Sequence, residues 1–125
     1  MDDKSGIGGD WVAAFAQPPG SIRIAGTDLP ETARLRARGE FDHDNCDLVP
    51  AVVTEAIVTG HTRIILDLAE VTFIDAATVK ALMAAGDLAA SAGATVRLEN
   101  AAGMVARVLA ITGVPHAVTF AGRPL

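Results

Sequence analysis

A chain of 125 residues carrying a formal net charge of −5 suits one domain, and with half of its residues hydrophobic (50%) it can bury a real core. The acidic balance argues against nucleic acid as a direct partner, because affinity there comes from Lys and Arg neutralising phosphates. No apolar run approaches the about 20 residues of a membrane span, and Asp2 and Asp3 stand where a secretion signal needs basic charge. Cys46 is the only cysteine and allows no internal disulfide. The expectation is a cytoplasmic protein with no direct membrane contact.

The first separable segment is Met1 to Gly20, an N-terminal extension closed by the breakers Pro18-Pro19-Gly20. Trp11, Val12 and Phe15 give it one short amphipathic turn, suited to docking on its own domain or, alternatively, on a partner. Residues 21–125 then form that domain. Strand-like runs at Ser21 to Gly26 and Ala33 to Arg38 lead to a helix over Leu48 to Val58, with Asp47 as N-cap and Pro50 in the first turn, where its missing N–H costs nothing. A buried strand follows at Arg63 to Asp67, then a helix over Ala76 to Ala92 and a strand at Thr95 to Glu99. The last helix is expected to start from a cap at Asn100, run through Thr112 and end at Gly113, before a final strand at Ala117 to Phe120. Two strands followed by alternating helices and strands predict an α/β fold. Its mixed central sheet should have about five strands, packed with about three or four helices, and its later crossovers should be right-handed.

Asp75 is the pivot of the sequence. Its carboxylate can accept from the free N–H groups of the first helical turn and is favourably placed in the helix dipole, so an N-cap role explains it completely. In the helix that follows, Val79, Leu82, Met83, Gly86 and Ala90 make a core-facing stripe, and Lys80, Asp87 and Ser91 a polar one. The remaining strip, Ala77, Ala81, Ala84 and Leu88, is smooth and weakly apolar. It reads either as alanine serving as a good helix former or as a flat docking face.

The stretch from Arg63 to Met83 resembles the STAS signature, in which an apolar strand with Asp or Asn leads through Phe-x-Asp, here Phe73-Ile74-Asp75, into a helix. Arg38-Gly39-Glu40-Phe41-Asp42 is similar to the Gly-Glu-x-Asp element after the family's second strand. The run Arg107 to Val114 resembles its late helix ending in Gly. Three matches in the right order and spacing, from about Ile22 to Phe120, are far more specific than any one.

The resemblance is to bacterial anti-sigma factor antagonists, and it implies a partner switch. In that family Asp is followed by Ser-Ser or Ser-Thr and then Gly, and a kinase that also sequesters a sigma factor phosphorylates the first Ser. The added charge spoils an interface matched to a neutral hydroxyl. Here the sequence departs, reading Asp75-Ala76-Ala77-Thr78-Val79. Ala76 takes the acceptor position and has no hydroxyl. Thr78, on the family's Gly position, offers a hydroxyl as a substitute acceptor, but helical geometry turns it about 200° from Ala76, and it reads as a solvated or capping residue. By resemblance the partner is an anti-sigma factor or serine kinase, and the binding residues are Asp42, His43, Asp44, Asp75, Ala76, Ala77, Thr78, Ala81 and Leu88.

The run Asp42-His43-Asp44-Asn45-Cys46-Asp47 holds metal-type side chains, but they form one local loop, and His61 and His116 lie elsewhere without ligand spacing. It reads as a polar turn and helix cap, with no metal and no cofactor. No nucleophile elbow, phosphate-cradling loop or acid–base pair supports an enzyme. The readings are a binding regulator not switched at residue 76, a STAS scaffold or transporter-associated subunit, and a small-ligand-sensing STAS module. The family commonly adds a helix after the last strand, whereas five residues follow Phe120 here. The N-terminal extension or a second copy of the chain, as a homodimer, is then expected to cover that surface.

Overall fold

A computed structural model describes residues 20–26, 30–114 and 119–120. The extension with Trp11 and Phe15, and the expected start of the last strand, fall outside the described residues. The elements are β1 (Gly20–Gly26), β2 (Thr32–Phe41), α1 (Leu48–Val58), β3 (Arg63–Ile74), α2 (Ala76–Ser91), β4 (Thr95–Glu99), α3 (Gly103–Thr112) and β5 (Thr119–Phe120). They form one five-stranded sheet in the order β1-β2-β3-β4-β5. The outer pairs, β1 with β2 and β4 with β5, are antiparallel; β2, β3 and β4 run parallel. The predicted α/β class and mixed sheet are therefore present. Two central strands outrun their predicted lengths: β2 continues to Phe41 and β3 to Ile74. Their extra residues pair with each other, as in Glu40 with Phe73 and Phe41 with Ile74, through register shifts that no alternation pattern encodes.

Alternate residues of the strands face opposite ways. Ala33, Leu35 and Ala37 of β2, Ile64, Leu66 and Leu68 of β3, and Val96 and Leu98 of β4 are buried in one continuous core. Val49, Val52, Val53 and Ala56 of α1 and Val79, Leu82, Ala85 and Ala89 of α2 join it. The opposite side of the same strands carries Arg34, Arg36, Arg38, Arg63 and Arg97, all at least partly exposed. No helix among the described residues is long and apolar enough to cross a membrane.

Two of the three expected helix starts differ in detail. Asp47 stands at the N-cap of α1 but is itself in the right-handed helical region (φ −69°, ψ −9°), and its side chain caps nothing. The preceding turn already serves the first amides, Leu48 N–H donating to the Asn45 carbonyl and Val49 N–H to that of Cys46. Asn100 is likewise no cap. It takes a left-handed conformation (φ 65°) and its side-chain amide donates to Asp67 Oδ1 (3.1 Å), so α3 begins at Gly103 after an uncapped Ala102. Gly113 ends α3 in the left-handed region (φ 81°), as its position predicts.

Candidate partner-binding site

The site is built where the ends of β2 and β3 meet the start of α2. Asp75 is extended (φ −120°, ψ −176°), and its Oδ1 accepts from the Thr78 amide at 2.9 Å, a side-chain N-cap. The Thr78 hydroxyl donates to the Phe41 carbonyl at 2.8 Å and shares its proton with Asp75 Oδ1 at 3.0 Å. Thr78 thus ties the first turn of α2 to the end of β2, 37 residues away in sequence. Burial by itself pushes the Asp75 carboxyl up. It is outweighed by the Thr78 amide and hydroxyl, then by the His43 amide and the His43 ring, so the group ends below its ordinary value. The His43 amide places the loop after β2 directly beside the helix start.

That loop is self-braced. Asp42 N–H donates to Asn45 Oδ1 (2.8 Å), Asp44 N–H to Asp42 Oδ1 (2.9 Å), and the Asn45 side-chain amide to the Glu40 carbonyl (2.9 Å). Gly20 is what allows the loop to sit so close: a Cβ there would stand 2.5 Å from the Glu40 carbonyl oxygen and 2.8 Å from Asn45 Nδ2. His43 and Asp44 point to solvent, with Nε2 and Oδ1 3.3 Å apart. Burial first, then the charges of Asp47, Asp75 and Asp42, push the Cys46 thiol above its ordinary value, away from a reactive thiolate. Among the described residues, no group of three His, Cys, Asp or Glu side chains is placed to hold a metal ion.

The fold brings Asp42, His43, Asp44, Asp75, Ala76 and Ala77 to one end of the molecule. Ala76 is exposed and Ala77 half-buried. Leu88 lies on the same helix, three turns and about 18 Å further on, and is 43% exposed. Two expected binding residues do not belong to this surface. Ala81 is buried in the core at 8% exposure, and Thr78, at 2%, is neither solvated nor open to modification. The reason is that α1 lies alongside α2. Burial therefore covers Thr78, Val79, Ala81, Leu82, Ala85, Gly86 and Ala89, an arc rotated by roughly 70° from the stripe predicted for a helix on a sheet alone. Met83 is only half-buried and Ala90 is exposed. Phe73, two residues before Asp75 and 37% exposed, is a large apolar side chain beside the site. Its Phe-x-Asp spacing was the signal for it; strand alternation alone gives no reason for its exposure.

A mixed sheet whose second and third strands converge on a capped helix, with a braced acidic loop against the cap, defines a STAS-type module. The sequence matches the family described as Mlab, STAS domain, over residues 25–119, and the chain belongs to that family. A comparison with curated proteins gives no match. Among solved structures it is similar to the anti-sigma factor antagonist SpoIIAA in its unphosphorylated form, a Bacillus protein, with a TM-score of 0.64 and 22% identity over 75% of this chain and 82% of that one. An anti-sigma factor antagonist from Mycobacterium paratuberculosis gives 0.61 and 19%, covering 75% and 80%. The murine anion transporter Slc26a9 gives 0.62 and 17%, over 83% of this chain and only 20% of the transporter. At these identities the likeness is one of fold.

Proposed function

We propose that this protein is a regulator of the anti-sigma factor antagonist type, which acts by binding an anti-sigma factor or serine kinase rather than by catalysis. The observation that carries the reading is the joint of loop and helix at Asp75. Asp42, His43 and Asp44, together with the exposed start of α2 at Ala76 and Ala77, form one surface held by the Thr78 and His43 amides. Phe73 and Leu88 supply exposed apolar anchors on either side of that start. Ala76 occupies the position equivalent to the family's phosphoacceptor and carries no hydroxyl. A kinase partner therefore has no acceptor there, and binding persists or is controlled elsewhere.

The test is to mix the protein with a cognate kinase and ATP. The wild-type chain should stay bound, with no phosphate on residue 76 by mass spectrometry, whereas Ala76→Ser should gain phosphate there and be released. Leu88→Lys should leave the fold intact and weaken binding by about tenfold or more. Absence of any complex with the kinase would sink the proposal. A second reading, a subunit or scaffold of a transporter-associated assembly, draws on the likeness to a domain that fills only 20% of the Slc26a9 chain. Co-purification in a fixed-stoichiometry complex, seen by native mass, would favour it.

A further inference from the structure

We propose that the N-terminal extension is an autoinhibitory strap: Trp11 and Phe15 dock on Phe73 and the start of α2, and the partner must displace them to bind. The first ground is the place where the extension joins the domain. Gly20 opens β1 and is packed against the loop of the candidate site. A Cβ there would meet the Glu40 carbonyl oxygen at 2.5 Å, Asn45 Nδ2 at 2.8 Å and the Phe41 ring at 3.2 Å. Residues 1–19 therefore join the domain at its partner-binding end.

The second ground is reach. Gly20 pairs with Gly39, and Glu40, the next residue of β2, pairs with Phe73. Phe73 is thus two strand spacings from Gly20, about 10 Å. A chain spans at most about 3.5 Å per residue, so Phe15 can lie up to about 17 Å from Gly20 and Trp11 up to about 30 Å. Among the described residues, the other large exposed apolar side chains are less well placed. Val58 closes α1 at the opposite end of the molecule, Leu88 is three turns into α2, and Met104 and Ile111 belong to α3, which follows β4, three strands from β1.

The third ground is chemistry. The stretch from Trp11 to Gly20 holds no charged residue, so it can cover Phe73, Ala76 and Ala77 without setting a carboxylate against Asp42, Asp44 and Asp47 of the loop. Aromatic rings favour offset or edge-on contact with one another, which suits Trp11 and Phe15 to Phe73. A tether this short gives a local concentration on the order of millimolar, so a weak contact competes with a partner and a tight partner still displaces it. The strap thereby supplies a control that needs no hydroxyl at residue 76. That consequence rests on reading this end as the partner-binding surface; the docking itself does not.

The test uses the full chain. Trp11 is its only tryptophan, and it has no tyrosine, so tryptophan emission reports the extension alone. Emission should be blue-shifted relative to the urea-unfolded chain, shielded from acrylamide and unchanged on dilution. Phe73→Ser should move it to the solvent value while far-UV circular dichroism stays native. Ala76→Glu, at an exposed position, is the second variant and should raise quenching as well, whereas Ile111→Ser should leave emission as in the wild type. The paired variant Trp11→Ser/Phe15→Ser should bind the anti-sigma factor or kinase about threefold to tenfold more tightly. The docking is overturned by solvent-like Trp11 emission in the wild type, by emission that neither Phe73→Ser nor Ala76→Glu alters, by release of Trp11 in Ile111→Ser, or by a shift on dilution, which marks docking on a second copy. Equal or weaker partner binding by the paired variant overturns the autoinhibition. No binding by either chain sinks the partner reading and the regulatory consequence with it, while Trp11 emission still decides the docking.

Discussion

The two faces of the sheet are written by alternate residues of the same strands, and they follow different physics. On one face Leu35, Leu66 and Leu98 are paired in register and at most 1% exposed beneath α1 and α2. One residue earlier on each strand, Arg34, Ile65 and Arg97 make the corresponding row of the other face, where charged groups meet in partly solvated pairs. The covered face holds the fold together through apolar burial, and the open face leaves its chemistry available. That division predicts that substitutions should sort by face rather than by strand.

The largest effect should come from the covered face. Leu66→Ala removes a fully buried side chain and should cost about 2–5 kcal/mol, read from the midpoint of urea unfolding. Next is the joint at α2. Thr78→Val keeps the shape but leaves the Phe41 carbonyl and Asp75 without the hydroxyl, which should cost about 1–3 kcal/mol, while Thr78→Ser should recover most of it. The smallest effect should come from the open face. Arg38→Ala breaks a pair with Glu70 that is 3.7 Å long and largely solvated, and should change stability by no more than about 0.5 kcal/mol. A loss at Arg38 as large as that at Leu66 would break the comparison.

Acid should sharpen it, because one carboxylate on the open side is buried. Burial pushes Asp67 up, but the Ala69 amide, the Asn100 side chain and the Arg36 and Arg34 charges outweigh it, and the group ends below its ordinary value of 3.8. Asp75 is lowered too. A carboxyl lowered in the fold binds its proton more readily when unfolded, so stability rises with pH through this range. Its contribution is fully present above the unfolded value and is lost as the pH falls through the folded one. Urea unfolding of Asp67→Asn should therefore show a shallower loss of stability below about pH 4 than the wild type. An unchanged acid limb would remove Asp67 from this role.

Much of the fold was legible because the alternation of strands and the 3.6-residue period of helices act locally. The alternation in Ala33 to Arg38, the Pro50 position, the Asp75 cap and the Gly113 stop all follow from single-element physics. What failed were features set by a second neighbour. The stripe on α2 turned because α1 adds a buried side, so Ala81 left the candidate surface and Thr78 became a buried tie. Asn100 was read as a cap because nothing local reveals that Asp67, 33 residues earlier, would claim its side chain. The candidate site was legible in Asp75, Ala76 and the 42–44 loop through motif spacing, whereas the row of Arg34, Ile65 and Arg97 exists only through strand register.

The sequence by itself determined the element order, the α/β class and the cap at Asp75, since each depends on a residue's own chemistry and its nearest neighbours along the chain. Tertiary structure alone decided which face of α2 remains open and that the His43 amide meets Asp75. It also decided that arginines from three strands share the face of the sheet opposite the buried leucines. Those outcomes depend on distances between residues far apart in sequence, which are fixed only when the strands pair and the helices cover one side of the sheet.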